Sequence, residues 1–189
     1  MRIGHIDLSA HISGAEEQLV ILVETLTAHG VEQHVLVRNP FLAKRLSVCS
    51  GVSVGPIVRS PVTAYLLMPA VDLVHLHDKK AINAGVLLNL TRSLPYVLTH
   101  RHFSMPGRNP FRQLQYQRAD GVVCPSAEIA HAMLDDLAET PVDTISDARN
   151  VDDVIDAENG RISAERMAAE YLRIYRRTLD SRSMPAMLI

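Results

Sequence analysis

The sequence predicts an α/β fold: a doubly wound, mainly parallel sheet, Rossmann-like, with a C-terminal helix packed back on it. Three observations carry this. Short apolar runs alternate with helix-period segments along most of the chain, the pattern of βαβ units. The stretch Val71–His102 reads as strand, helix, strand, with Ile82, Val86, Leu87 and Leu90 at helical spacing between two apolar strands. The composition is 47% hydrophobic without tryptophan, which suits an aliphatic sheet core. A right-handed crossover places the two strand ends, His77-Asp78 and His100-Arg101-His102, on one edge of the sheet. In open α/β sheets that edge is where ligands bind.

Taken in order, Arg2–Leu8 is a buried first strand. Ser13-Gly14-Ala15-Glu16 opens a helix, with Ser13 at the N-cap and Glu16 three residues on forming a capping box. Ala15, Leu19, Leu22, Val23 and Leu26 make its apolar stripe, and Gly30 supplies a left-handed stop. His34–Val37 is the second strand, Leu42–Leu46 a short helix and Val52–Val54 a brief strand. Pro56, Pro61 and Pro69 bracket a further short helix over Val62–Met68. Beyond Val71–His102, Phe103–Asn109 reads as an exposed loop around Pro106-Gly107-Arg108. Phe111–Arg118 is helical and Asp120–Cys124 extended. Ser126 N-caps a helix with Ile129, Ala130, Met133, Leu134 and Leu137 on one face. Val142–Ile145 is the last strand and Ser146–Gly160 a polar connector. A terminal helix starts at Ser163, with Ile162 and Met167 as a hydrophobic staple. Its buried stripe is Ala164, Met167, Ala168, Tyr171, Leu172, Tyr175 and Leu179.

At 189 residues the chain fits one domain that buries roughly 70% of its unfolded surface. A net charge of -2, from 19 basic and 21 acidic residues, points away from nucleic acid and from anionic membrane as partners. The polar N-terminus is unlike a signal peptide, and no segment reaches the ~18 apolar residues of a span. Two cysteines, Cys49 and Cys124, make no disulfide framework. A cytoplasmic setting follows as the expectation, with at most peripheral contact at the inner face of the membrane.

The helix start at Ser13-Gly14-Ala15 offers free N–H groups and a positive dipole to an anion. A single glycine there makes neither a dinucleotide fingerprint nor a P-loop, and a capped helix start explains it equally well. His75, His77, Asp78, His100 and His102 converge on the same sheet edge. Metal binding is the weaker reading, because strand-borne histidines lack a decisive ligand spacing, so none is expected. The better one aims His100 at a substrate hydroxyl or phosphate, with His77-Asp78 as its hydrogen-bonding partners. Arg101, Arg108, Arg112 and Arg118 are candidate anion ligands. Neither cysteine has an electropositive neighbour in the sequence, and no G-x-S-x-G elbow occurs.

With these residues laid out, the chain resembles the amino-terminal lobe of the family-4 retaining glycosyltransferases of GT-B architecture. The resemblance covers Met1–Val151: the Ser13-Gly14-Ala15-Glu16 turn, similar to the family's Gly-Gly-Ala-Glu; the strand Asp72–His77; Pro95–Thr99 with His100-Arg101-His102; and Arg118–Ser126. Arg101-His102 departs from the family's frequent His-Asp ending. Ile162–Tyr175 is similar to the family's final helix, which crosses back from the second lobe. Asn150-Val151-Asp152 resembles the family's interlobe junction. The resemblance implies a lobe over 1–151, a linker over 152–162 in place of the second lobe, and a crossover helix and tail over 163–189.

It further implies His100 as the catalytic histidine near the transferred sugar. Ser13, Gly14, Ala15, His77, Asp78, Arg101, His102 and Ser126 would bind substrate. No cofactor or metal is implied; a nucleotide sugar is the donor substrate, and a cell-surface glycan, such as lipopolysaccharide, or a lipid-linked molecule is the acceptor. Turnover would need a partner chain or homodimer to supply the second wall of the cleft. Two rival readings stand beside this: a non-catalytic carbohydrate- or protein-binding module, and an unrelated domain that binds a small phosphate at the Gly14 helix.

Overall fold

The computed structural model describes residues 1–11, 13–102, 110–134, 137, 139–148 and 157–183. The loop expected over Phe103–Asn109 and the junction Asn150-Val151-Asp152 lie outside the described residues. Seven strands, β1 (Arg2–Asp7), β2 (Glu32–Val37), β3 (Val52–Val54), β4 (Leu73–Leu76), β5 (Tyr96–Thr99), β6 (Gly121–Cys124) and β7 (Val142–Thr144), form one sheet. Its order is β3-β2-β1-β4-β5-β6-β7 and every pairing is parallel. The helices are α1 (Gly14–Ala28), α2 (Pro40–Leu46), α3 (Pro61–Leu67), α4 (Ile82–Arg92), α5 (Pro110–Gln117), α6 (Ala127–Leu134) and α7 (Ala157–Ser183). This is the doubly wound architecture that the alternation of apolar runs predicts.

The five inner strands are almost wholly buried because helices cover both faces of the sheet, while the edge strands β3 and β7 stay partly exposed. Ile6, Val74, Leu76, Tyr96, Leu98 and Val122 point to the side packed by α3, α4, α5 and α6. Ile3, Leu73, Val97 and Val123 point to the other side, against α1 and α7. α7 lays Met167, Ala168, Tyr171, Leu172, Ile174 and Tyr175 on that face. Each large side chain so buried contributes about 1.5–3 kcal/mol. Exposed ion pairs contribute ~0–1 kcal/mol. Arg173 and Arg177 on Asp143, and Arg182 on Asp120, therefore orient a helix that apolar burial holds. At α1 the capping box forms as expected: Ser13 Oγ accepts from Ala15 N–H, and the Glu16 carboxylate accepts from Ser13 N–H at 2.5 Å. Gly30 closes the helix at φ +73°, the left-handed conformation glycine adopts without strain.

Three local expectations are corrected. Leu90 is 58% exposed, so the apolar stripe expected on α4 is rotated. The buried face is Ile82, Ala84, Gly85 and Leu88, because the helix approaches so closely that a Cβ on Gly85 would collide with Leu76 and press on Tyr96. Leu134 is 48% exposed, one residue round the helix from the buried Met133, and Leu137 fills the core from beyond the helix end. α7 begins at Ala157 and not at Ser163, so residue 163 is inside the helix and neither cap nor staple applies there. The preceding segment contains no proline, and Gly160 costs only ~1 kcal/mol in a helix whose packing lies further on.

Candidate functional site

Strand order reverses between β1 and β4, and the carboxyl ends of β1, β4 and β5 open onto a cavity of about 500 Å³. Ser9–His11, Ser13, Ala15 and Glu16 line it after β1, His77–Lys80 after β4 and Thr99–His102 after β5. The structure thus gathers Ser13, Ala15, His77, Asp78, His100, Arg101 and His102, seven of the nine expected site residues. Gly14 is exposed and outside the wall, and a Cβ there would meet nothing within 4 Å. Ser126 stands at the end of β6 and caps α6, accepting from Ile129 N–H at 3.4 Å. The rim is polar, with His11, Lys79 and Lys80 exposed.

Beneath the cavity lies a histidine relay that alternation along the strands creates. His5 and His75 are directly opposed in the β1–β4 register, and His77 follows on the same side. The relay's protonation is set from its far end. Gln33 Nε2 donates to Val23 O and Thr27 Oγ1, both at 2.8 Å, so Gln33 Oε1 faces His5 Nε2 at 3.1 Å and accepts from it. His5 Nδ1 is then bare, and His77 Nε2–H donates to it at 3.0 Å. This leaves His77, a wall residue of the cavity, with an unprotonated Nδ1 that has no partner among the described residues. His75 is held at 2.7 Å by both Tyr175 OH and Thr99 Oγ1.

Burial pushes His5 down to about 4 and His75 and His77 well below 6.5, with the positive charges of their neighbours adding to the last two. All three are neutral at pH 7. Their ligand atoms lie within 4.8 Å of one another, close enough to suggest a metal. In this arrangement, however, His5 and His77 bond each other directly and hydroxyls take both nitrogens of His75.

His100 stands apart from this relay, which corrects the expected partnership with His77-Asp78. His77 shares the α1/α7 side of the sheet with His5, whereas His100 follows Thr99 and turns to α5. Its Nε2–H donates to His102 O at 2.7 Å, which leaves Nδ1 to accept from Tyr116 OH at 2.9 Å. Burial lowers its pKa to about 4, with Lys79 and His102 contributing. Arg101 is neutralised by Asp147 at 2.5 Å. Asp78 works on the backbone, accepting from Leu8, Lys80 and Ala81 N–H, so it ties the β4 turn to the end of β1. Burial raises its carboxyl, and raises Asp7 to about 6 with Asp78 and Glu16 adding repulsion. Burial also acts to raise Glu16, but the hydrogen bonds from Ser13 and Ser9 outweigh it and hold that carboxyl low. Cys124 is buried and raised to about 11, a poor nucleophile, as its sequence surroundings imply.

Sequence reasoning missed His5, Gln33, Tyr116, Lys79 and Lys80. His5 and Asp7 were legible as polar residues of one parity in an apolar strand. Gln33 and Tyr116 gave no such signal, since their partners are 28 and 16 residues away.

Solved structures share this fold. HepE of Anabaena in complex with UDP-glucose is 16% identical with a TM-score of 0.60, over 80% of this chain and 45% of that one. Its complex with UDP is 17% identical with a TM-score of 0.59 over the same shares. Apo UGT2 of Phytolacca americana is 11% identical with a TM-score of 0.54, over 79% and 53%. The chain thus spans about half the length of the solved structures it matches. No curated protein matches the sequence. Among the described residues no helix is long and apolar enough to cross a membrane. The glycosyltransferase family 4 model matches residues 12–152, three quarters of the chain, and this, on a Rossmann-like GT-B lobe, makes the chain a member of glycosyltransferase family 4.

Proposed function

We propose that this chain is the acceptor-side lobe of a retaining, nucleotide-sugar-dependent glycosyltransferase that acts on a cell-surface glycan or a lipid-linked acceptor. The cavity at the β1/β4 reversal carries the reading: it joins the helix start after β1 to two histidine-bearing strand ends. In the reaction an acceptor hydroxyl oxygen bonds to the sugar's anomeric carbon as the bond from that carbon to the diphosphate breaks. The hydroxyl proton leaves with the nucleoside diphosphate.

His77 suits the task of orienting a hydroxyl. Its bare Nδ1 accepts a hydrogen bond, and its low pKa makes it a poor proton store, so it positions and does not titrate. We assign His100 the complementary donor role, with its Nε2–H exchanging the His102 carbonyl for a sugar hydroxyl. Transfer requires a cleft that excludes water and holds both substrates. One lobe offers one wall, so a second lobe completes the cleft. The reading needs no metal and no cofactor, and it places the protein in the cytoplasm at the inner face of the membrane.

Calorimetric titration of the full chain with a panel of nucleotide sugars and candidate acceptor glycans tests this. Saturable binding that His77→Phe weakens at least tenfold supports it. Glycan capture without any response to nucleotide sugars would instead mark a non-catalytic carbohydrate-binding module.

A further inference from the structure

Beside the cavity, between α4 and α5, is a second depression of about 350 Å³ lined by Lys79, Lys80, Asn83, Phe111, Arg112 and Gln115, with Ile82 and Tyr116 at its base. Its charge is unbalanced. Several cations on other faces pair with carboxylates: Arg2 with Glu32, Arg101 with Asp147, Arg173 and Arg177 with Asp143, and Arg182 with Asp120. Lys79, Lys80 and Arg112 form no ion pair among the described residues. Asp78 interacts with Lys80, but its oxygens already accept three backbone N–H groups. The three cations share a lining that holds no carboxylate, which leaves it with an excess of positive charge.

The neutral groups point the same way. Gln115 Nε2 donates to Asn83 Oδ1 at 2.5 Å, which fixes the Asn83 amide with its two N–H donors unused by any described residue. The depression therefore offers ammonium, guanidinium and amide donors and no carboxylate in its lining. Phosphate suits that set: the lysines act as point charges and the arginine's fork as a two-pronged donor. Lys79 and Lys80 line both spaces, and Tyr116 at the base of the depression donates to His100 in the wall of the cavity. A group bound here would sit next to the place where a hydroxyl is positioned. Ile82 and Phe111, the latter 60% exposed, add an apolar border.

We propose that the acceptor is a phosphorylated molecule, and that Lys79, Lys80 and Arg112 hold its phosphate or diphosphate beside the transfer cavity. This rests on the glycosyl-transfer reading above, but its test uses neither donor nor turnover. The full chain is titrated by calorimetry with inorganic pyrophosphate, with geranyl diphosphate and with geraniol. Saturable pyrophosphate binding is expected, weakened by added salt and reduced at least tenfold in the Lys79→Ala/Lys80→Ala and Arg112→Gln variants. Lys44→Ala, on α2, controls for lost surface charge, and circular dichroism of each variant checks the fold. Tighter binding of geranyl diphosphate than of pyrophosphate, with no response to geraniol, identifies a lipid-linked acceptor. Equal affinities identify a free phosphorylated one. No pyrophosphate binding, or binding that survives all three substitutions, overturns the proposal. Sugar-nucleotide binding that persists in that event leaves the glycosyl-transfer reading standing, and the reverse pattern sinks that reading alone.

Discussion

Acidification should unfold this protein, by an amount that follows from its buried imidazoles. His5, His75 and His100 are at most 2% exposed, and His77 packs against the first two. Burial lowers all four pKa values, to about 4 for His5 and His100 and well below 6.5 for the others. The unfolded chain binds these protons near pH 6.5. Below that value the unfolded state is the better proton binder, so stability is present above pH 6.5 and is lost as the pH falls. Asp7, raised to about 6, and Asp78 act in the opposite sense, because the fold keeps their protons until the unfolded chain regains them near pH 4.

Four imidazoles less two carboxyls leaves a net of about two protons, and each is worth about 1.4 kcal/mol per pH unit. Between pH 7 and pH 5 the loss is about 4–6 kcal/mol, comparable with the whole stability of an ordinary domain at ~5–15 kcal/mol. Urea denaturation followed by circular dichroism at pH 7, 6, 5.5 and 5 measures it. A free energy of unfolding that changes by less than about 1 kcal/mol over this range would refute the reasoning.

The remaining predictions address single residues. Gln33→Leu should cost about 1–3 kcal/mol, because His5 Nε2–H is left unpaired in a fully buried site, while Val23 O keeps its bond from Thr27 Oγ1. Nitrogen-15 spectra of the imidazoles should show the His5 and His77 tautomers mixing in that variant, and unchanged spectra would break the relay argument. Gly85→Ala should destabilise by about 1–3 kcal/mol through the collision with Leu76, read as a lowered urea midpoint. Gly14→Ala should leave the melting temperature within a few degrees and ligand affinity unchanged, since its Cβ meets open space outside the cavity wall. A tenfold loss of affinity would bring Gly14 into the site. His100→Ala should abolish transfer and also cost about 1–3 kcal/mol by orphaning the buried Tyr116 hydroxyl. Full transfer in His100→Gln, which can still accept from Tyr116, would take the imidazole out of the chemistry.

The seven strands, their parallel winding and the gathering of polar tips on one edge were legible in the sequence. Each follows from local causes: apolar runs of strand length, a capping box at Ser13-Glu16, a left-handed glycine at position 30, and the handedness of a βαβ crossover. Parity along a strand likewise put His75 and His77 on one side. The rest depended on neighbours distant in the chain. That His5 completes the relay is a matter of β1–β4 register, and that His77 Nδ1 is bare is a matter of Gln33, on a different strand. His100 faces Tyr116 because α5 packs there, and Lys79 and Lys80 gain their meaning from Arg112 on that same helix. The rotation of α4 has the same origin: periodicity marks which residues are apolar, but the close approach at Gly85 selects which of them are buried. Hydrogen bonds and close packing act over a few ångströms of space, so only the folded chain decides between partners that its sequence keeps far apart.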